Sequence, residues 1–209
     1  SCSWWPESAD AATGKSPPSP ARTPPQGRMS LPMSREQSQR FAIACLAAGV
    51  VVLVDQATKA AALGGMSQTE RIPLLGDLLG LQLAFNPGAI LSLGADFTGL
   101  LTLLGVGAVV VLVVAAARAR TETWAVGIGL ILGGAIGNVI DRLFSPPGFG
   151  VGHVTDFLAY GNLFIGNLAD VALGAGVIVL GLSLWTRHRR SRVSADSAAP
   201  ATGPVVSGS

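Results

Sequence analysis

The sequence predicts an all-α membrane protein of four transmembrane helices, with a small extracytoplasmic β-sheet segment and a short outer loop. Three observations predict it. Only 12% of the 209 residues are charged while 49% are hydrophobic, against about a quarter charged in soluble domains. The windows 97–117 and 124–140 hold no charge and 163–185 holds only Asp170, and apolar stretches of about 17–25 residues can cross a hydrocarbon core as helices. Lysine and arginine, finally, collect in alternate connecting segments, as the positive-inside bias requires.

Residues 1–40 carry Pro17, Pro18, Pro20, Pro24, Pro25 and Pro32 among Ser, Arg and Gln. Such a segment buries too little apolar surface to offset its ordering entropy, so a disordered cytoplasmic tail is expected. The chain opens on Ser1, and Met29 or Met33 makes a conventional start for a short cytoplasmic segment. The membrane domain is expected over 41–186. Its first span runs from Phe41 through the uncharged stretch to Val54 and on to Ala62. A cleavable signal peptide is the competing reading, but the apolar core ends in Asp55 and a helix-favouring run rather than in small residues at a cleavage site.

The other spans are Phe97–Ala117, Trp124–Ile140 and about Leu163–Trp185, and a basic then disordered tail is expected over 187–209. Eleven of the fourteen Lys and Arg residues lie before span one, between spans two and three, or after span four; only Lys59, Arg71 and Arg142 lie on the other side. Both termini are therefore expected in the cytoplasm. Of the two outward segments, 63–96 contains Arg71–Leu74 and Leu81–Phe85, short turn-bounded stretches read as strands, and 143–162 is read as a loop. The net charge of +2, without aromatic and basic interleaving, gives no footing for a nucleic-acid partner. Cys2 and Cys45 make neither a disulfide framework nor a metal-ligand set.

Polar residues inside spans are costly, so an intramembrane Asp marks a functional site by default. Asp55 in the outer third of span one, Asp141 at the outer end of span three and Asp170, placed about two turns inside span four, all arrive at similar depth. Gly129, Gly133, Gly137 and Asp141 recur every four residues, one helix face that a neighbour can approach closely; Gly174, four after Asp170, extends such a ridge on span four. Asn138 and Asn167 each stand three residues before an Asp, within side-chain reach on the same face. Asp55 and Lys59 can pair at i and i+4. The one cation near Asp141 in sequence is Arg142, and two carboxylates without metal ligands suggest a shared-proton pair, one acid and one base around a water. A small proton-coupled transporter would also use intramembrane Asp and Asn, though near the midplane and commonly with an internal repeat. A membrane scaffold would leave the three Asp residues unexplained.

Five segments, Asp55-Gln56-Ala57-Thr58-Lys59, Asn86-Pro87-Gly88-Ala89, Gly133-Gly134-Ala135-Ile136-Gly137-Asn138-Val139-Ile140-Asp141-Arg142, Val154-Thr155-Asp156-Phe157 and Asn167-Leu168-Ala169-Asp170, resemble in order and spacing the bacterial lipoprotein signal peptidases, also called signal peptidase II. The resemblance covers about 41–186. It implies a multi-pass enzyme of the bacterial plasma membrane, active near the extracytoplasmic face without cofactor or metal. The implied activity is an aspartyl intramembrane protease that acts among membrane lipids on prolipoproteins carrying a diacylglyceryl-cysteine lipobox, cutting just before that cysteine. It maps the catalytic pair onto Asp141 and Asp170, and supporting roles onto Asp55, Lys59, Asn86, Gly88, Asn138, Arg142, Asn167 and Ala169.

Overall fold

The structure, a computed structural model, describes residues 34–88 and 95–198. Four helices among the described residues are long and apolar enough to cross a membrane. They are α1 (Arg35–Gly65), α2 (Thr98–Ala117), α3 (Glu122–Phe144) and α4 (Leu168–Ala198), with strands β1 (Ile72–Leu75), β2 (Leu79–Asn86), β3 (Val154–Tyr160) and β4 (Phe164–Gly166) between them.

Helix α1 starts earlier than the tail boundary at residue 40 allows. Ser34 caps it, its hydroxyl oxygen accepting from the Gln37 N–H at 3.3 Å, and Arg40 pairs with Glu36 one turn back at 2.9 Å. A Ser followed three residues later by Gln is a helix-start signal that the proline count obscured. At the other end α4 runs on to Ala198, beyond the expected boundary at 186. Residues 1–33 and 199–209 of the expected tails lie outside the described residues.

The faces of α1 are inverted relative to a soluble protein. Its buried residues are Ala44, Ala48, Asp55, Lys59 and Ala62, whereas Leu46 and Leu53 are 70% and 71% exposed. Large apolar side chains turned outward against small and polar ones inward is the pattern that lipid selects, since lipid offers no hydrophobic gain for burying Leu while small residues let backbones approach. The glycine ridge of α3 supplies the matching surface. A Cβ at Gly133 would lie 2.8 Å from the Ala48 carbonyl oxygen, and one at Gly137 would lie 2.5 Å from Asp55 Oδ2. On α4 the expected ridge residue is displaced: Gly174 faces open space, and Gly176 meets α3 instead, 2.7 Å from the Gly127 carbonyl oxygen by the same measure.

The strands form one antiparallel sheet in the order β1-β2-β3-β4. Two of them lie in 143–162 and in the start of the expected span four, so that segment is more than an outer loop. A turn at Gly161, with φ +55°, reverses the chain after β3, and β4 pairs Phe164 with Tyr160 and Gly166 with Leu158. Span four therefore begins at Leu168 rather than Leu163, because residues 164–166 satisfy their backbone groups in the sheet. The sheet packs on the membrane helices through Ala62, Leu83 and Phe157, with Leu168 at the edge of the cluster.

Candidate active site

Asp55 and Lys59 lie on the buried stripe of α1, 0% and 2% exposed. Lys59 Nζ stands 2.8 Å from Asp55 Oδ2 and 3.0 Å from Asp141 Oδ2, and donates to Asn138 Oδ1 at 3.2 Å. The pairing of Asp55 with Lys59 read from i, i+4 spacing is present, and the same ammonium also serves Asp141. Asp55 Oδ1 accepts from the Ala169 N–H at 2.9 Å, tying α1 to the first turn of α4. Ala169 is thus placed by its backbone, and its side chain is fully buried.

Asp141, in the last turn of α3, is held on every side. Besides Lys59, its Oδ2 accepts from the Thr155 N–H of β3 at 3.0 Å and its Oδ1 accepts from Gln56 Nε2 at 3.1 Å. Arg142, expected beside Asp141, turns elsewhere: its guanidinium donates to the Pro87 carbonyl at 3.3 Å and to the Gly88 carbonyl. The turn it grips is closed by Asn86 Oδ1, which accepts from the Gly88 N–H at 3.0 Å. Adjacent residues on a helix point about 100° apart, which is why Asp141 and Arg142 serve different partners.

Asp170 sits in the first turn of α4, not two turns inside it. Asn167 caps the helix: its Oδ1 accepts from the Asp170 N–H at 3.0 Å while Asp170 Oδ2 accepts from the Asn167 N–H at 3.2 Å. This is a reciprocal capping box built from Asn and Asp. Asp170 Oδ1 accepts from Asn138 Nδ2 at 3.0 Å. The link between Asp141 and Asp170 therefore runs through Lys59 and Asn138.

A fourth carboxylate, given no role by the sequence, stands beside Asp170. Asn167 Nδ2 donates to Asp156 Oδ1 at 2.6 Å and to Asn138 Oδ1 at 3.2 Å, so Asn167 is bonded to both Asp156 and Asp170. Asp156 lies on β3 and is 2% exposed. Its carboxyl is pushed up to about 7, first by burial and then by the charge of Asp170, against the opposing hydrogen bonds of Asn167 and Asn86 and the charge of Lys59. The Tyr160 hydroxyl, four residues along the same strand, is raised by burial and by Asp170 as well. The signal that could have found Asp156 is a lone Asp inside the otherwise uncharged strand Val154-Thr155-Asp156-Phe157-Leu158-Ala159-Tyr160.

Four spans and a sheet around a carboxylate cluster, with Asp55, Asp141 and Asp156 buried and Asp170 exposed at its edge, define the class: a multi-pass membrane protein with the fold of solved bacterial membrane enzymes. One of these, determined by the in meso method at 2.3 Å, aligns at a TM-score of 0.62 with 24% identity, over 78% of this chain and 94% of that one. A second, at 1.9 Å, aligns at 0.59 with 25% identity, over 68% and 92%. The family model described as signal peptidase (SPase) II matches residues 47–186. The lipoprotein signal peptidase of Leifsonia xyli is 39% identical over 201 residues, 91% of this chain and 93% of that protein. That of Rhodococcus jostii is 38% identical over 151 residues, 72% and 76% of the two chains. The chain belongs to the signal peptidase II family.

Proposed function

We propose that this protein is an intramembrane aspartyl endopeptidase that removes signal peptides from diacylglyceryl-modified prolipoproteins, cutting just before the lipidated cysteine. Family membership supports the peptidase and its lipoprotein substrates. The observation that carries the aspartyl chemistry is the Asp156–Asn167–Asp170 linkage, in which one carboxyl has an affinity for its proton near neutrality.

That linkage favours Asp156 over Asp141 as the partner of Asp170. An acid and a base around a water require one protonated and one ionised carboxyl. Asp141 has its oxygens committed to an ammonium, a backbone N–H and an amide, which suits a fixed counter-charge that locks α1, α3 and β3 together. Asp156, with its carboxyl at about 7, is suited to hold the proton. In this reading Asp170 takes a proton from the attacking water. As the water oxygen bonds to the scissile carbonyl carbon, Asp156 gives its proton to the carbonyl oxygen. Asp170 then passes the proton taken from water to the amide nitrogen as the C–N bond breaks, and a hydroxyl proton of the tetrahedral intermediate returns to Asp156, leaving a free amine and a carboxyl.

The turn at 86–88 is read as the substrate holder. Asn86 hydrogen-bonds Asp156 as well as closing its own turn, and Arg142 fixes the two carbonyls that follow it. A peptide unwound near lipid needs its backbone polar groups satisfied, and a fixed turn beside the acid can do so. The charge asymmetry supports both termini in the cytoplasm and the site near the extracytoplasmic face.

The test is cleavage of a lipidated lipobox peptide by the purified protein in micelles, with Asp156→Asn, Asp170→Asn and Asp141→Asn side by side. Loss of turnover in the first two without loss of folding is the expected result. Near-parental turnover in Asp156→Asn would return the assignment to Asp141 and Asp170.

A further inference from the structure

At the end of the bundle away from the carboxylates, a cavity of about 350 Å³ opens where α2, α3 and α4 come together. Arg118, Arg120 and Arg187 line it, against an apolar wall that includes Ala119, Trp124 and Ile128. Trp124 and Asp141 are on the same helix, 17 residues and so roughly 25 Å apart, which separates this cavity from the proposed active site.

Two features distinguish it from the arginines that commonly flank a span. The three arginines line one concavity from the α2–α3 connection and from α4, and none has a carboxylate partner among the described residues, whose ion pairs are Arg40–Glu36, Lys59–Asp55 and Lys59–Asp141. The acid nearest in sequence, Glu122, is not among the lining residues. The wall is also built, not incidental: Ala119 and Ile128 are buried in one apolar cluster with Ala44, Ala116 and Ala125, and Trp124 Nε1 donates to Ser183 Oγ at 3.1 Å, fixing the indole between α3 and α4.

We propose that this cavity binds the headgroup of an anionic phospholipid. A phosphodiester accepts the planar forks of guanidinium groups, and basic pockets between helices at the cytoplasmic boundary suit anionic headgroups. The glycerol and upper acyl carbons lie against Trp124 and its apolar neighbours. Exposed arginines alone would hold a free phosphate weakly at ordinary salt because its charge is screened. An apolar wall beside them adds hydrophobic burial that only a lipid can use.

The test is native mass spectrometry of the full chain with phosphatidylglycerol and phosphatidylcholine of matched acyl chains, and with inorganic phosphate. The parent should retain phosphatidylglycerol preferentially. Each arginine near an anionic surface contributes about fivefold, so Arg118→Gln, Arg120→Gln and Arg187→Gln combined should cut the preference by about a hundredfold. Peptide cleavage in phosphatidylcholine micelles should be unchanged, which reports that the variant is folded. If the triple variant does not fold, Arg187→Gln alone should lower the preference by about fivefold. An unchanged preference in the folded variant, or inorganic phosphate displacing phosphatidylglycerol at equal concentration, would overturn the proposal.

Discussion

Asn167 donates to Asp156 Oδ1 at 2.6 Å and, through its backbone N–H, to Asp170 Oδ2 at 3.2 Å. One buried asparagine thus joins, through its side-chain amide and its backbone N–H, two carboxylates that come from a strand and from the start of a helix. The amide costs nothing unsatisfied, since its oxygen caps α4 in return. Replacing Asn167 with Ala removes the cap and the side-chain bond to Asp156 together, leaving only the backbone N–H to Asp170. Loss of a cap alone costs about 1 kcal/mol, so cleavage should fall far more than stability does. Parallel loss of both, in kinetics and thermal unfolding, would make Asn167 only a structural cap.

Asp156→Asn and Asp170→Asn should each lower turnover by about a hundred- to ten-thousand-fold, the usual range for losing an acid or a base. Asp141→Asn should behave differently, losing thermal stability in step with activity because its partner is Lys59. Circular dichroism melts in micelles, run beside the peptide assay, distinguish the two patterns.

Lys59 answers two carboxylates at once. Removing it leaves Asp55 and Asp141 buried without a cation, and breaking a buried pair from one side costs about 3–5 kcal/mol. Lys59→Met should therefore be severely destabilised, and adding Asp55→Asn with Asp141→Asn should restore much of the loss. A triple variant no more stable than Lys59→Met would show that packing, not charge, explains the effect.

The raised carboxyl of Asp156 fixes the direction of two pH dependences. Its folded value of about 7 lies above the ordinary 3.8. Its contribution to stability is therefore full below about 3.8 and is lost as pH rises through about 7. Activity that needs the protonated acid should decline over the same upper limb, although the profile reports the coupled pair and not a single site. Asp156→Asn should flatten the stability slope between those values. A slope that persists in the variant assigns it to another group.

Gly133→Val places a branched side chain against the α1 backbone at Ala48, and overpacking of this kind costs about 1–3 kcal/mol. Gly174→Ala faces open space and replaces a poor helix former, so its stability should stay within about 1 kcal/mol of the parent. Equal melting temperatures for the two variants would contradict the α1–α3 contact described above.

The sequence by itself determined the four spans, the strands near 72 and 81, and the convergence of Asp55, Asp141 and Asp170, which Lys59 and Asn138 link. These follow from local properties: apolar run length, charge placement and the 3.6-residue period. It also placed Asn167 beside Asp170, whereas Asn138, expected to serve Asp141 on its own helix, bonds Asp170, Lys59 and Asn167 instead. What only the tertiary structure decided is which partners Asp141 and Asp156 have, the pairing of Asp55 with Lys59 being local. Arg142 adjoins Asp141 in the chain yet grips the 86–88 turn, while Lys59, 82 positions away, carries the charge opposite Asp141. Asp156 shows the same limit most clearly: a lone Asp in the otherwise uncharged Val154-Thr155-Asp156-Phe157 marks the residue, but nothing there names Asp170 as its neighbour. It reaches its place because β3 pairs with β2 at Ala84–Asp156 and with β4 at Leu158–Gly166, directly before α4 begins. Strand pairing is a long-range choice made by packing between segments, and no residue records its partner in its own neighbours.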